Sequence, residues 1–236
     1  TTVLGNHCSA FIAHPAARAG VLDGNPIHLD MAAAASMVNL RYIVNVLIDD
    51  RKRIIAAVAG NRNRAHEKGR VLLENLCTVF PSRPGDIVVT SNGGMPLDQN
   101  LYQAVKGMTT AEAAAAPGAA IVICAQCADG IGGEHFYQAL KNCGSPQALL
   151  DEILQVPMEE TVPDQWQYQI LARIMANHPI YLVCDEAVRT AAEEMKFHTA
   201  ATVDEAFSAA YTAVSAVKAS PKITVIPDGI SVIIHP

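Results

Sequence analysis

Val88-Val89-Thr90-Ser91-Asn92-Gly93-Gly94-Met95-Pro96-Leu97-Asp98-Gln99-Asn100-Leu101-Tyr102-Gln103-Ala104-Val105-Lys106-Gly107 is the stretch whose reading decides the fold. A strand over 86–91 runs into Ser91-Asn92-Gly93-Gly94, the chain turns, and Asp98 is placed to cap a helix over 98–115. Further strands over 120–125, 180–184 and 223–226 are separated by helices over 134–141, 145–154, 163–177, 186–195 and 203–217. Apolar strands without alternation, each followed by helix, are the pattern of a parallel sheet covered on both faces, because the crossover helices have to lie on the sheet. The reading for 86–236 is an α/β domain. Ligands of such sheets sit at the carboxyl ends of the strands, so the polar residues of the 91–94 loop are expected to face a crevice.

Upstream the pattern differs. A helix opens at Asn25-Pro26 and reads through Met37; strands over 41–48 and 53–59 join as a hairpin at Asp49-Asp50; a helix over 63–79 is stopped by Pro81 and Pro84. Phe80-Pro81-Ser82-Arg83-Pro84-Gly85 is the expected boundary, dividing the chain into 1–85 and 86–236. Thr1 brings no initiator Met, basic segment or apolar leader with it, and the expectation is a piece of something longer.

Composition bounds the function. With 236 residues, half of them hydrophobic, the chain can bury a sizeable core. A formal charge of −6 without a Lys/Arg run argues against a nucleic-acid partner, since phosphate neutralisation needs clustered cations. The longest strictly apolar run, 119–125, is far short of the roughly 20 residues that span a bilayer, so no membrane partner is expected. Six cysteines, at 8, 77, 124, 127, 143 and 184, are too dispersed for a disulfide framework. They are expected as reduced thiols, which gives a cytoplasmic reading.

On the helix after the 91–94 loop, Tyr102 and Lys106 are four apart and share a face, with Gln103 one step round. An ammonium, an amide and a phenol converging there suit a carboxylate. The competing reading is a solvated helix face with Lys106 as a surface lysine. Cys124-Ala125-Gln126-Cys127 lacks the second ligand pair of a zinc site and reads as a strand-end turn leading into Asp129-Gly130-Ile131-Gly132-Gly133. That glycine cluster has His135 where a dinucleotide fingerprint needs its third glycine. Among the histidines, His66, His135, His178, His198 and His235 have no companion at ligand spacing, and spacing alone leaves His7 a terminal surface residue. Neither Gly-x-Ser-x-Gly nor His-Glu-x-x-His is present, which removes the commonest hydrolase readings.

Four stretches closely resemble the lactate racemase family that uses a nickel-pincer nucleotide. They are Asn6-His7 with the 20–26 run Gly-Val-Leu-Asp-Gly-Asn-Pro, Ala65-His66-Glu67-Lys68-Gly69, the long 91–107 motif, and Asp164-Gln165-Trp166-Gln167. The resemblance covers nearly the whole chain. It implies a 2-hydroxyacid racemase or epimerase, an isomerase, whose substrate is a small 2-hydroxy carboxylate. Its cofactor is a Ni(II)-pincer nucleotide tethered to a lysine, which takes a hydride from the substrate's α-carbon and returns it to the other face. By resemblance His7 is the nickel's protein ligand, which suits an imidazole in a mixed-donor Ni(II) site. Tyr102, Gln103 and Lys106 are then the carboxylate-binding contribution of the second domain, and Trp166 is an apolar wall that keeps water from the hydride.

The same resemblance places the family's proton-transfer histidines, substrate arginine and cofactor-bearing lysine in an N-terminal domain that precedes Thr1. Residues 1–85 would be the remnant of the cofactor-binding α/β domain and 86–236 a complete second domain. The cofactor is expected to be absent from this chain, which is expected to be inactive alone. The runner-up is a non-catalytic α/β module that binds a small carboxylate without nickel. An oligomerisation domain is disfavoured because no exposed apolar stripe is obvious in the sequence. Oligomeric state is not legible, and a homo-oligomer stays open.

Overall fold

The computed structural model describes residues 2–49 and 51–235. Helices α1 (Thr2–Asn6), α2 (Ser9–Ala13) and α3 (Pro26–Ser36) precede β1 (Ile43–Ile48), β2 (Ile54–Gly60) and α4 (Arg62–Cys77). After the short β3 (Thr78–Val79) come β4 (Gly85–Ser91), α5 (Leu101–Ala114), β5 (Ala115–Cys124), α6 (Glu134–Asn142), α7 (Pro146–Ile153) and α8 (Gln165–Asn177). The chain ends through β6 (Ile180–Val183), α9 (Glu186–Glu194), β7 (His198–Ala200), α10 (Val203–Ser215), β8 (Ile223–Ile226) and β9 (Ile233–Ile234).

Five strands form one parallel sheet in the order β7-β6-β5-β4-β8. Successive side chains leave a strand on opposite faces, so each apolar run feeds two cores. Val88, Ile121, Ile123, Leu182 and Ile226 pack under α5, α6, α8 and α9. Ile87, Val122 and Tyr181 pack on the other face, against Ala206 and Ala210 of α10. Both faces are therefore covered, as a non-alternating parallel sheet requires. The order reverses between β4 and β8, and there Ser91 Oγ donates to Pro227 O at 2.7 Å while Gly229 N donates to Ser91 O at 3.0 Å.

The 92–100 loop departs from expectation in two places. Asp98 does not cap α5: Asn100 does, accepting from Gln103 N at 3.0 Å, because helix begins only where Leu101 and Tyr102 donate to Gly130 O and Ile131 O. Asp98 instead accepts from Gln126 N at 3.1 Å and ties the loops after β4 and β5 together. Nor does Asn92 face a crevice. It is fully buried, donating to Leu97 O and to Gln103 O and accepting from Gly107 N at 2.8 Å, which satisfies three main-chain groups.

Gly132 is required where it stands. Its φ is +92°, and a Cβ there would lie 2.6 Å from Cγ of Asn100, the α5 cap. Gly132→Ala is expected to cost about 2 kcal/mol through backbone strain and a displaced cap, read as a lowered urea midpoint at unchanged slope.

In the N-terminal part, Asn25 and Asn61 cap α3 and α4. The hairpin is antiparallel, pairing Val44 with Ala59 and Val46 with Ala57. Val58 turns inward against α4, with Gly69 close enough that its Cβ would meet Val58 Cγ2 at 3.2 Å. Val44, Val46, Ile48 and Ile54 stay exposed on the other side. The expected turn at Asp49-Asp50 lies partly outside the described residues; Asp49 itself accepts from Arg51 N and Arg53 N, both at 2.9 Å. The helix expected to reach 79 stops at Cys77, because Thr78 and Val79 pair in parallel with Ile233 and Ile234.

Candidate functional site

The candidate site forms where the amino ends of α5 and α8 meet the N-terminal segment. At the far end of the same helices, Arg173 of α8 forks onto Glu112 of α5 at 2.9 and 2.6 Å, fixing their relative position. At the near end, the Gln167 side-chain amide donates to the main-chain oxygen of Tyr102. Gln169 of α8 reaches back, its Nε2 donating to Ser9 O at 2.9 Å, and Ser9 Oγ donates to Val156 O at 3.2 Å. These bonds hold the segment that carries His7 against α8 and the turn after α7.

His7 packs on Trp166, with ring centroids 4.8 Å apart and planes tilted by 53°. Its neighbour Asn6 is buried and donates twice, to Ile27 O at 3.0 Å and to Asp30 Oδ2 at 2.9 Å, so α1 is bracketed to α3. Two elements far apart in sequence thus bring the imidazole and the indole together.

The three α5 residues do not present three free donors to one anion. Lys106 Nζ donates to Gln103 Oε1 at 2.6 Å, one helical turn back. Among the described residues no acid side chain pairs with Lys106. The ring of Tyr102 stands edge-on to Phe136 with centroids 5.4 Å apart. Burial and the Asp164 carboxylate push the phenol up to about 12, so it is neutral throughout the physiological range.

Sequence reasoning gave no role to Asn6, Asp164 or Gln167. The signal that could have found the last two is their place in the Asp164–Gln167 stretch, beside a tryptophan already singled out. His66 has no partner in sequence, yet its ring stacks on His28 with centroids 5.7 Å apart, where α4 meets α3 and Arg62 bonds to Ala35 O and Ser36. Cys127 is fully buried; desolvation, with Cys184, Asp98 and Asp185 nearby, pushes its thiol up to about 12. All six cysteines are free thiols. Among the described residues, no group of three or more His, Cys, Asp or Glu side chains could hold a metal by itself. No described helix is long and apolar enough to cross a membrane.

A parallel sheet with both faces covered by helices defines an α/β domain. The family described as the lactate racemase C-terminal domain matches residues 80–234. The chain is 49% identical over 233 residues to a lactate racemase of Thermoanaerobacterium thermosaccharolyticum, covering 99% of this chain and 54% of that protein. It is 42% identical to a lactate racemase of Lactiplantibacillus plantarum, with the same coverage. The solved structure of the lactate racemase apoprotein from T. thermosaccharolyticum superposes with a TM-score of 0.95 at 48% identity, covering 99% of this chain and 55% of that one. The chain belongs to the lactate racemase family and spans about half the length of the relatives it matches.

Proposed function

We propose that this chain is the C-terminal part of a 2-hydroxyacid racemase that works with a nickel-pincer nucleotide. One observation carries the reading: His7 packs on Trp166 in the first turn of α8, whose Gln167 bonds to Tyr102 O in the first turn of α5, one turn before Lys106, which bonds to Gln103 and to no described acid. The donor set fits a metal that arrives with most of its ligands. His7 supplies one imidazole, and no self-sufficient metal cluster exists among the described residues. When bound, the nucleotide supplies the acceptor and donor of the α-carbon hydride.

The chain's own residues do the rest. Lys106, steadied by the Gln103 amide and not neutralised by an acid, takes the substrate carboxylate in a charge-assisted bond. Anchoring that end lets the planar 2-oxo species be held still while its two faces are compared, which is where orientation lowers the barrier. Trp166 shields the reacting carbon from water, and His7 is held in place by the ring beneath it and by Asn6 beside it.

Residues 1–85 are read as part of a cofactor-binding domain. Val44, Val46, Ile48 and Ile54 support this: a two-stranded hairpin with one apolar face open is marginal unless something covers it. The rest of the relatives' length is the proposed cover, and it would bring the cofactor-bearing lysine and the proton-transfer histidines. The cytoplasm, with its reduced thiols, is the proposed compartment.

The test is interconversion of D- and L-2-hydroxy acids, with nickel and the maturation proteins supplied. A chain extended to the relatives' full length is expected to turn over; the 236-residue chain alone is expected to give none. Turnover by the short chain would show that proton exchange needs no base beyond those it carries, against the reading.

A further inference from the structure

Gln103 O and Gly107 N are the two ends of one rung of α5, since an α-helix bonds each N–H to the carbonyl four residues back. The Asn92 carboxamide bonds to both. Its Nδ2 donates to Gln103 O at 3.2 Å, and its Oδ1 accepts from Gly107 N at 2.8 Å. A carboxamide carries donors and an acceptor side by side, as a peptide does, so it can meet both ends of a rung at once. Its remaining N–H donates to Leu97 O. Asn92 is fully buried, and its own main-chain N–H donates to Cys124 O at 3.1 Å, continuing the pairing of β4 with β5. The side chain that enters α5 therefore stands on the sheet.

The helix is shaped to admit it. A Cβ on Gly107 would lie 2.8 Å from Asn92 Oδ1 and 3.1 Å from both Ser91 O and Ile123 Cδ1, so glycine alone leaves room for the amide. Support also comes from the loop after β8. Gly229 N donates to Ser91 O at 3.0 Å, Gly229 O accepts from Thr110 Oγ1 at 2.6 Å, and a Cβ on Gly229 would stand 3.2 Å from Gly107 Cα. The turn over 103–107 is thus held from the end of β4 and from the loop after β8, neighbours in the sheet where its order reverses. The same turn carries Gln103 and the exposed Lys106, whose side chains bond to each other.

We propose that Asn92 is a positioning residue: by bonding to both ends of the Gln103–Gly107 rung it fixes the helical turn from which Gln103 and Lys106 reach the substrate carboxylate. The proposal rests on the racemase reading, which makes those two side chains the carboxylate anchor. The Lys106 ammonium sits on a flexible four-carbon stem and is steadied only by a neighbour on the same turn, so the pair is placed no better than the backbone beneath it. A side chain set into the hydrogen-bond ladder is one of the few devices that shift a helix locally. Misplacing a binding group by about 1 Å can cost about 100-fold in rate, which makes such a device felt at the substrate.

The experiment has two arms. In the first, amide N–H dipolar couplings are measured by NMR in the 236-residue chain and in Asn92→Ala. Asn92→Ser, which returns a small donor and acceptor, takes its place if the alanine variant does not fold, and a urea midpoint establishes folding for each. The couplings of 103–107 are expected to depart from the parent's, while those of 110–114 keep them. Couplings unchanged throughout overturn the proposal. A change shared by the whole of α5 also overturns it, because Asn92 would then support the helix and not set the turn.

In the second arm, a nickel-loaded chain of the relatives' full length is assayed. Asn92→Ala is expected to lower kcat/KM about tenfold, mostly as a raised KM, with unchanged nickel content. In a Lys106→Ala background the same change is expected to cost under about twofold, since the anchor it places is gone. A merely structural role, acting through the folded fraction, lowers kcat by the same factor in both backgrounds. That result, or a KM equal to the parent's, overturns the proposal. A parent that does not racemise at all overturns the functional reading instead, and the first arm still decides whether Asn92 fixes the turn.

Discussion

Replacing His7 with alanine in a chain of the relatives' full length is expected to abolish nickel retention and racemisation together, while circular dichroism stays at the parent spectrum. The structural reason is that other groups hold the segment around it. Its ring contact with Trp166 is worth about 0.5–1.5 kcal/mol, whereas the surrounding segment is held by Asn6 on Ile27 and Asp30 and by Gln169 on Ser9. Loss of the metal with the fold intact assigns His7 as its protein ligand. Equal nickel in mutant and parent would remove that assignment, and a mutant that melts out would place His7 among the structural residues.

Lys106→Ala carries the second large effect. A charge-assisted bond to the substrate carboxylate is worth about 1.5–3 kcal/mol, so kcat/KM should fall roughly 10- to 150-fold. Stability should hold to within about 0.5 kcal/mol, because the side chain is exposed and no described acid loses a partner when it goes. That combination separates a substrate anchor from the surface lysine that spacing alone allowed. Catalytic efficiency equal to the parent's would return Lys106 to the solvated face. Lys106→Arg should recover part of the loss, since charge is kept and reach is altered.

The parts that were legible in the sequence share one property: their signal is local. The strand over 223–226 lies where its β-branched run put it, and α6 and α9 begin at the residues read from the pattern. Asn25-Pro26 announced α3 because an Asn cap with proline after it is complete within a few residues. That Gln103 and Lys106 lie one turn apart on one helix was legible for the same reason, but they were expected to converge on an anion and instead bond to each other.

What the sequence hid depends on partners far along the chain. β7 is three residues long and begins with histidine, so only the neighbouring β6 makes it a strand. Thr78 and Val79 continue a helical pattern until Ile233 and Ile234 arrive alongside. Asp98 and Asn100 are both good caps, and the choice between them is made by the loop after β5, which offers Gly130 and Ile131 carbonyls to Leu101 and Tyr102. The packing of Tyr102 on Phe136 is of the same kind. Helical spacing puts Tyr102 and Lys106 on one face, and Phe136 of α6, far along the chain, packs against the ring.

Nickel analysis of a full-length chain matured with its cofactor machinery tests the central claim most directly. The account predicts nickel in equimolar amount with protein, lost together with D/L interconversion when His7 is replaced. A metal-free protein that still interconverts the two enantiomers would contradict it.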